Sequence, residues 1–226
     1  MSELVHSSTG YEVVEEEPPE ILARNLTSAG YLLASATAFF FLSFLFAYFY
    51  LRTLNSNDLW KPNGVSTSVG WGTAVMACVV VSALLVRLGV RDRLADRPWR
   101  IKGIAALVFG LAAIVLQVIT WTQQGFGPAD GGFASVYFGW TAYLLVWMLG
   151  SLFWLETTLA TSLRYARATT PGATPPPGEA SGDPYRQAPD VRAPLSLVRL
   201  ELIAFSFYWT FLAGIAILTW IILYLI

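Results

Sequence analysis

The sequence predicts an all-α, polytopic membrane protein with five transmembrane helices in a bundle. Its 226 residues are 55% hydrophobic and only 13% charged, and the mean hydropathy is +0.55, a balance typical of membrane proteins. Five apolar runs lie at about 28–54, 67–88, 101–122, 133–163 and 197–226. Each run reaches the roughly 20 residues that a helix needs to cross the hydrocarbon core of a bilayer.

The segment before the first apolar run, residues 1–27, is predicted to be a polar cytoplasmic tail. It contains the acidic and proline-rich run Glu-Glu-Glu-Pro-Pro-Glu at 15–20. A secretory signal peptide has its apolar stretch close to the N-terminus, directly after a short basic region. Because a long polar segment precedes the first apolar run here, we expect no cleaved signal peptide.

Lysine and arginine residues predict the orientation of the bundle. Twelve of the 14 basic residues lie in the N-terminal tail and in the links between the second and third and the fourth and fifth helices; the remaining two, Arg52 and Lys61, lie in or beside the first link. Cytoplasmic loops of membrane proteins carry an excess of basic residues. We therefore expect a cytoplasmic N-terminus and an external C-terminus, which agrees with an odd number of crossings.

Two links differ in character. Residues 168–194 are rich in Pro, Gly, Ala and Thr and lack apolar periodicity, which predicts a flexible cytoplasmic linker; a role in docking a partner stays open. Residues 123–132 carry four glycines and a proline, which predicts a tight turn at the membrane surface with Trp121 and Phe126 as interfacial anchors.

Residues that could bind a metal or a haem are scarce in the apolar runs. The one histidine, His6, lies in the polar tail, and the one cysteine, Cys78, lies inside the second run. Haem and copper sites depend on histidine, cysteine or comparable ligands. The sequence therefore predicts no catalytic residue, cofactor site or metal site in this chain, and any redox chemistry must be supplied by a partner.

Two glutamates are the acidic residues of the predicted spans. Glu156 precedes Arg164 by eight residues, about 12 Å along a helix, and Glu201 follows Arg199 by two. An ionisable residue inside a membrane is by default a candidate functional residue, because an isolated charge is costly there. Two interpretations remain open: structural ion pairs with arginines such as Arg164 and Arg199, or a proton antenna that serves a neighbouring subunit.

Three segments resemble one family. Residues 207–213 read Phe-Tyr-Trp-Thr-Phe-Leu-Ala, residues 134–142 read Ala-Ser-Val-Tyr-Phe-Gly-Trp-Thr-Ala, and the first apolar run contains Ala-Phe-Phe and Leu-Phe-Ala-Tyr at 38–40 and 45–48. In order and in spacing to the Gly-Pro turn, they are similar to helices of subunit III of haem-copper cytochrome c oxidases. The resemblance extends over 28–226 and matches the short, five-helix form of that subunit.

The chain departs from the family at its polar positions. The two glutamates of the family fall on Thr37 or Ala38 and on Thr120, its histidine pair falls on Leu144 and Trp147, and the histidine and aspartate of its last helix fall on Thr210 and Ala213. The aromatic scaffold is kept while the polar residues are replaced. Any proton handling would therefore depend on Glu156 and Glu201, which are at different positions.

The resemblance implies a non-catalytic subunit in the plasma membrane of a bacterium, where it would stabilise catalytic subunit I of a respiratory oxidase and hold phospholipids. Haem and copper would belong to the partner subunit. Aromatic residues expected at the interface or against lipid are Phe40, Trp121, Trp147 and Trp209. An accessory subunit of a nitric oxide reductase or another respiratory supercomplex is an alternative. A small transporter is disfavoured, because no proline interrupts the core of an apolar run.

Overall fold

A computed structural model describes residues 19–55, 59–62, 64–168 and 192–226, and it is all-helical in these ranges. The helices are α1 (Pro19–Thr53), α2 (Val69–Leu94), α3 (Arg100–Gln123), α4 (Gly132–Ala168) and α5 (Arg192–Trp220), and α5 continues into a π-helical turn at Ile221–Leu225. All five are long and apolar enough to cross a membrane. The predicted fold class and the five spans are therefore confirmed, and the protein is a multi-pass membrane protein.

The helices pack with α4 and α5 at the centre of the bundle. Helix α5 contacts α1, α2 and α4, and α4 contacts α1, α3 and α5. The most extensive pair is α2 with α3, which follow one another through a link of only five residues, 95–99. Among the described helices, α1 packs mainly against α4 and α5, so it presents much of its circumference to the surroundings.

The helix ends extend beyond the predicted spans. Helix α1 begins at Pro19 rather than at residue 28, α2 continues to Leu94, and α4 continues to Ala168. Apolar composition marks the part of a helix that lies in hydrocarbon, whereas the hydrogen-bonded backbone can continue into water. Proline is favoured in the first turn of a helix, where an N–H would have no acceptor, so Pro19 suits its place at the start of α1.

Part of the predicted tail and of the predicted linker is helical. Residues 19–27 belong to α1, and Arg192 to Pro194 form the start of α5. Residues 1–18 and 169–191 lie outside the described residues, so the polar tail and the flexible linker stay predictions there.

Small residues on α3 allow close packing against α4. Gly103, Ala106, Gly110 and Ala113 are all buried on this helix. A Cβ atom added to Gly110 would lie 2.5 Å from Cδ2 of Leu152 on α4, well inside van der Waals contact. The lack of a side chain at Gly110 therefore allows α3 to approach α4 closely at this level. Gly150, by contrast, is exposed and has open space around it.

The glycine-rich link between α3 and α4 is the predicted tight turn. Gly125 and Gly131 adopt φ angles of 70° and 123°, which glycine tolerates better than other residues. Asp130 accepts a hydrogen bond from the backbone N–H of Gly127 at 2.6 Å. Phe126 is buried and packs edge-on against Tyr137, so this ring points into the bundle rather than along the membrane surface.

Candidate functional site

Glu156 lies on the outward face of α4. Its side chain is exposed in the bundle. The same face of α4 carries three exposed apolar residues within two turns of it: Phe153 and Leu149 toward the N-terminus and Leu163 toward the C-terminus. All of these residues are within the membrane-spanning segment Gly132–Arg164. The carboxylate therefore interrupts an otherwise apolar surface, in a position where lipid or another protein must contact it.

Glu201 lies at the contact between α5 and α4. Its side chain is half-buried, and its Oε2 atom is 3.4 Å from the hydroxyl of Thr158. The same hydroxyl is 3.0 Å from the carbonyl of Trp154, and its single hydrogen can be donated to only one acceptor at a time. The contact between Thr158 and Glu201 is therefore long, and the carboxylate competes with the Trp154 carbonyl for the same hydrogen.

The two glutamates do not form a joint site. Thr158, which contacts Glu201, is buried, whereas Glu156 is exposed on the same helix; residues two apart on a helix point to nearly opposite sides. The ion pairs between described side chains are Lys102 with Asp92 and Arg93 with Asp96. Within the described residues, therefore, a hydroxyl and not an arginine faces Glu201, and neither glutamate belongs to an ion pair.

The four aromatic candidates occupy different environments. Phe40 is 53% exposed and contacts the ring of Tyr143 at 5.1 Å. Trp121 is half-buried, and its indole N–H donates to the hydroxyl of Thr141 at 2.9 Å. Phe40 is thus placed where a neighbouring molecule could contact it, whereas Trp121 joins α3 to α4.

Trp147 and Trp209 point into the bundle. The ring of Trp147 lies edge-on to Tyr208 at 6.4 Å, and its buried indole N–H has no hydrogen-bond partner among the described residues. Trp209 is fully buried. Its indole N–H donates to Ser82 Oγ at 3.0 Å, and this hydroxyl donates to the carbonyl of Ala106 at 2.6 Å. Trp209 therefore joins α5, α2 and α3 inside the bundle, whereas the sequence predicted a place at the interface or against lipid.

Thr37, Thr120 and Thr210, the three hydroxyl residues singled out by the sequence resemblance, each form a hydrogen bond in the structure. Thr37 is fully buried and lies 2.9 Å from the hydroxyl of Tyr208. Thr120 donates to the carbonyl of Leu116. Thr210 accepts a hydrogen bond from Nε of Arg87 at 3.1 Å. Thr37 and Thr210 therefore connect helices, and Thr120 bonds a carbonyl of its own helix.

A polar cluster not expected from the sequence joins the start of the α3–α4 link, α4 and the C-terminal turn. The amide of Gln124 donates to the Tyr137 hydroxyl at 2.9 Å, and this hydroxyl lies 2.9 Å from the hydroxyl of Tyr224. The buried Nε2 atom of Gln117 has no hydrogen-bond partner among the described residues. Gln124 lies in the glycine-rich link and not in an apolar run, so no local pattern in the sequence indicates this cluster.

Comparison with known proteins adds no family to these observations. No protein-family model matches this sequence, and no curated protein matches it significantly. In the described ranges, no group of three His, Cys, Asp or Glu side chains could hold a metal ion. The expected haem and copper of a partner subunit and the expected phospholipids stay predictions.

Proposed function

We propose that this protein is a non-catalytic subunit of a respiratory haem-copper terminal oxidase, in which it packs beside catalytic subunit I and stabilises it. The observation that carries the proposal is Glu156, whose carboxylate is exposed on the side of a membrane-spanning helix. The resemblance to oxidase subunit III supplies the identity of the partner. Assistance in proton uptake is the alternative role for the same carboxylate, and the second measurement below separates the two roles.

The position of Glu156 favours a protein partner over lipid. Its distance from Arg164, about 12 Å along the helix, places it below the level of the head groups if Arg164 is at the interface. Insertion of an aspartate near the centre of a lipid-facing helix costs about 3 kcal/mol. A hydrogen-bond donor or a cation on a partner helix would offset this cost, and lipid tails offer neither.

The surface of α1 suits lateral association and lipid binding. Phe39 is 75% exposed, Phe46 is 70% exposed, and Phe46 stacks on Tyr50 at 5.6 Å. Large, rigid, apolar side chains of this kind fit acyl chains and partner helices equally well. Phospholipids held against α1 are therefore part of the proposal, as is subunit I against the Glu156 face of α4.

The proposal is tested by mild-detergent isolation of the tagged protein, followed by identification of the proteins that co-purify. We expect the catalytic subunit of a haem-copper oxidase, carrying its own haem and copper. Glu156→Leu should reduce the amount of that subunit recovered, because the partner's donor would lose its acceptor. Thr157→Val is the matched control: the neighbouring hydroxyl is also exposed, but it donates to the carbonyl of Trp154 within its own helix, so recovery should be unchanged.

A second measurement separates assembly from proton transfer. Oxygen consumption and proton uptake per assembled complex should be the same for Glu156→Gln as for the unchanged protein, while the yield of complex falls. Full assembly with strongly reduced proton uptake would instead assign Glu156 a proton-handling role. Recovery of a nitric oxide reductase catalytic subunit would favour the alternative, and recovery of the protein alone would contradict both assignments.

A further inference from the structure

A pocket of about 300 Å³ lies at the end of the bundle opposite the α2–α3 link. The end of α1, the first link, the start of α4 and the C-terminal turn surround it, through Tyr48, Arg52, Lys61, Phe133 and Leu225 among others. This volume is at the lower end of the range for small-molecule sites in proteins. The pocket is separate from the Glu156 face of α4.

Three buried rings form the rigid part of the pocket. Tyr48 lies 5.1 Å from Trp60 with the ring planes at 87°, and Trp60 lies 5.8 Å from Phe133 with the planes at 85°. All three rings are less than 10% exposed. Edge-to-face contacts of this kind are the preferred geometry of aromatic pairs, so the three rings support each other in one arrangement.

Two cations are held against these rings at the pocket. Lys61 Nζ is 4.7 Å from the centroid of the Phe133 ring, and Arg52 Cζ is 6.0 Å from the centroid of the Tyr48 ring. Both distances are within the range of cation–π contact. Both side chains remain exposed, and neither belongs to an ion pair between described residues. The polar ends of both cations are therefore accessible from the pocket.

The backbone around Lys61 is fixed to α4. The N–H of Phe133 donates to the carbonyl of Trp60 at 2.8 Å, and the N–H of Gly132 donates to the carbonyl of Leu59 at 3.2 Å. A Cβ atom at Gly131 would lie 2.7 Å from Cδ of Pro62, so the link and the turn are in close contact. The chain that carries Lys61 is thus held in place before any ligand binds, which lowers the entropic cost of binding.

We propose that this pocket binds a phosphate-bearing anion, with Arg52 and Lys61 as its ligands. Arginine presents several N–H donors that match a phosphate in a forked arrangement, and lysine contributes a point charge. Two sources offer this chemistry: the head group of an anionic phospholipid, and a soluble phosphate compound. Leu225 lines the pocket and is 56% exposed, which provides an apolar flank on which an acyl chain could lie.

The test uses the full-length protein in detergent, stripped of bound lipid. Native mass spectrometry measures binding of phosphatidylglycerol and of the zwitterionic phosphatidylcholine, and isothermal titration calorimetry measures binding of inorganic phosphate and glycerol 3-phosphate. We expect one site for at least one phosphate-bearing anion. Arg52→Gln and Lys61→Gln should each raise its Kd by about tenfold, as expected for loss of one charge-assisted hydrogen bond.

Arg97→Gln is the matched control, because it removes the same charge from an exposed side chain in the α2–α3 link, at the opposite end of the bundle. Its Kd should equal that of the unchanged protein. Tight binding of phosphatidylglycerol would identify a lipid as the source, and binding of the soluble compounds alone would identify a soluble anion. The proposal would be overturned if the double variant Arg52→Gln/Lys61→Gln bound the anion as tightly as the unchanged protein. It would also be overturned if Arg97→Gln lost as much affinity as the two pocket variants. These binding measurements do not depend on which complex the protein joins.

Discussion

Replacement of Gly110 by alanine tests whether close packing holds α3 against α4. The added Cβ would lie 2.5 Å from Cδ2 and 3.1 Å from Cδ1 of Leu152, whereas carbon atoms in contact prefer about 3.5–4.0 Å. Leu152 is 2% exposed, so it has little free space into which it can turn. Overpacking of this kind costs about 1–3 kcal/mol.

Helix propensity acts in the opposite direction and must be separated from the clash. Alanine is favoured over glycine in a helix interior by about 1 kcal/mol. Gly150 on α4 provides the control, because a Cβ there would meet no atom within 4 Å. Gly150→Ala should therefore raise the free energy of unfolding by up to about 1 kcal/mol. Gly110→Ala should be less stable than Gly150→Ala by about 1–3 kcal/mol.

The measurement is reversible unfolding in mixed micelles, followed by tryptophan fluorescence. Leu152→Ala is introduced into the unchanged protein and into the Gly110→Ala variant, which completes a double-mutant cycle. Because the smaller side chain relieves the clash, Leu152→Ala should lower the free energy of unfolding by about 1–3 kcal/mol less in the Gly110→Ala variant than in the unchanged protein. Equal stability of the two alanine variants, or a cycle with no coupling, would refute close packing between Gly110 and Leu152.

Two further predictions concern hydrogen bonds between helices. Ser82→Ala leaves the buried indole N–H of Trp209 without its acceptor and should lower the free energy of unfolding by about 1–3 kcal/mol. The control Ser43→Ala removes an exposed hydroxyl that donates within α1 and should change it by less than about 0.5 kcal/mol; equal effects would contradict the bridge at Ser82. Thr37→Val and Tyr208→Phe should couple by about 0.6 kcal/mol in a double-mutant cycle, as is usual for such bonds in membranes. Independent effects would show that α1 and α5 do not depend on this hydrogen bond.

The candidate residues show which parts of a site can be inferred from sequence. Glu156 and Glu201 stand out in apolar runs, because each charge in a membrane span is costly and therefore conspicuous. Their surroundings are a different matter: only the packed bundle shows that Glu156 points outward while Glu201 contacts Thr158 on α4. Trp209 illustrates the same difficulty, since an aromatic residue in an apolar run can face lipid or the bundle interior.

The pocket at Arg52 and Lys61 depends even more on tertiary structure. In the sequence these two residues are the basic residues in or beside the first link, and they help to predict the orientation of the bundle. Folding places Phe133, more than 70 positions further along the chain, beside Lys61. No local pattern encodes such a contact, because it depends on how α1 and α4 pack and on the hydrogen bonds that fix the link to α4.

The sequence by itself determined the class of the protein and the number of its spans. A backbone that crosses hydrocarbon must satisfy its own hydrogen bonds, so a long apolar run has almost no alternative to a helix. Tertiary structure alone decided which face of each helix is buried. A helix that is apolar on every side carries little directional signal in its composition; its rotation is set by contacts such as Gly110 with Leu152 and Trp209 with Ser82. Those contacts leave Glu156 facing outward, the position on which the proposed function depends.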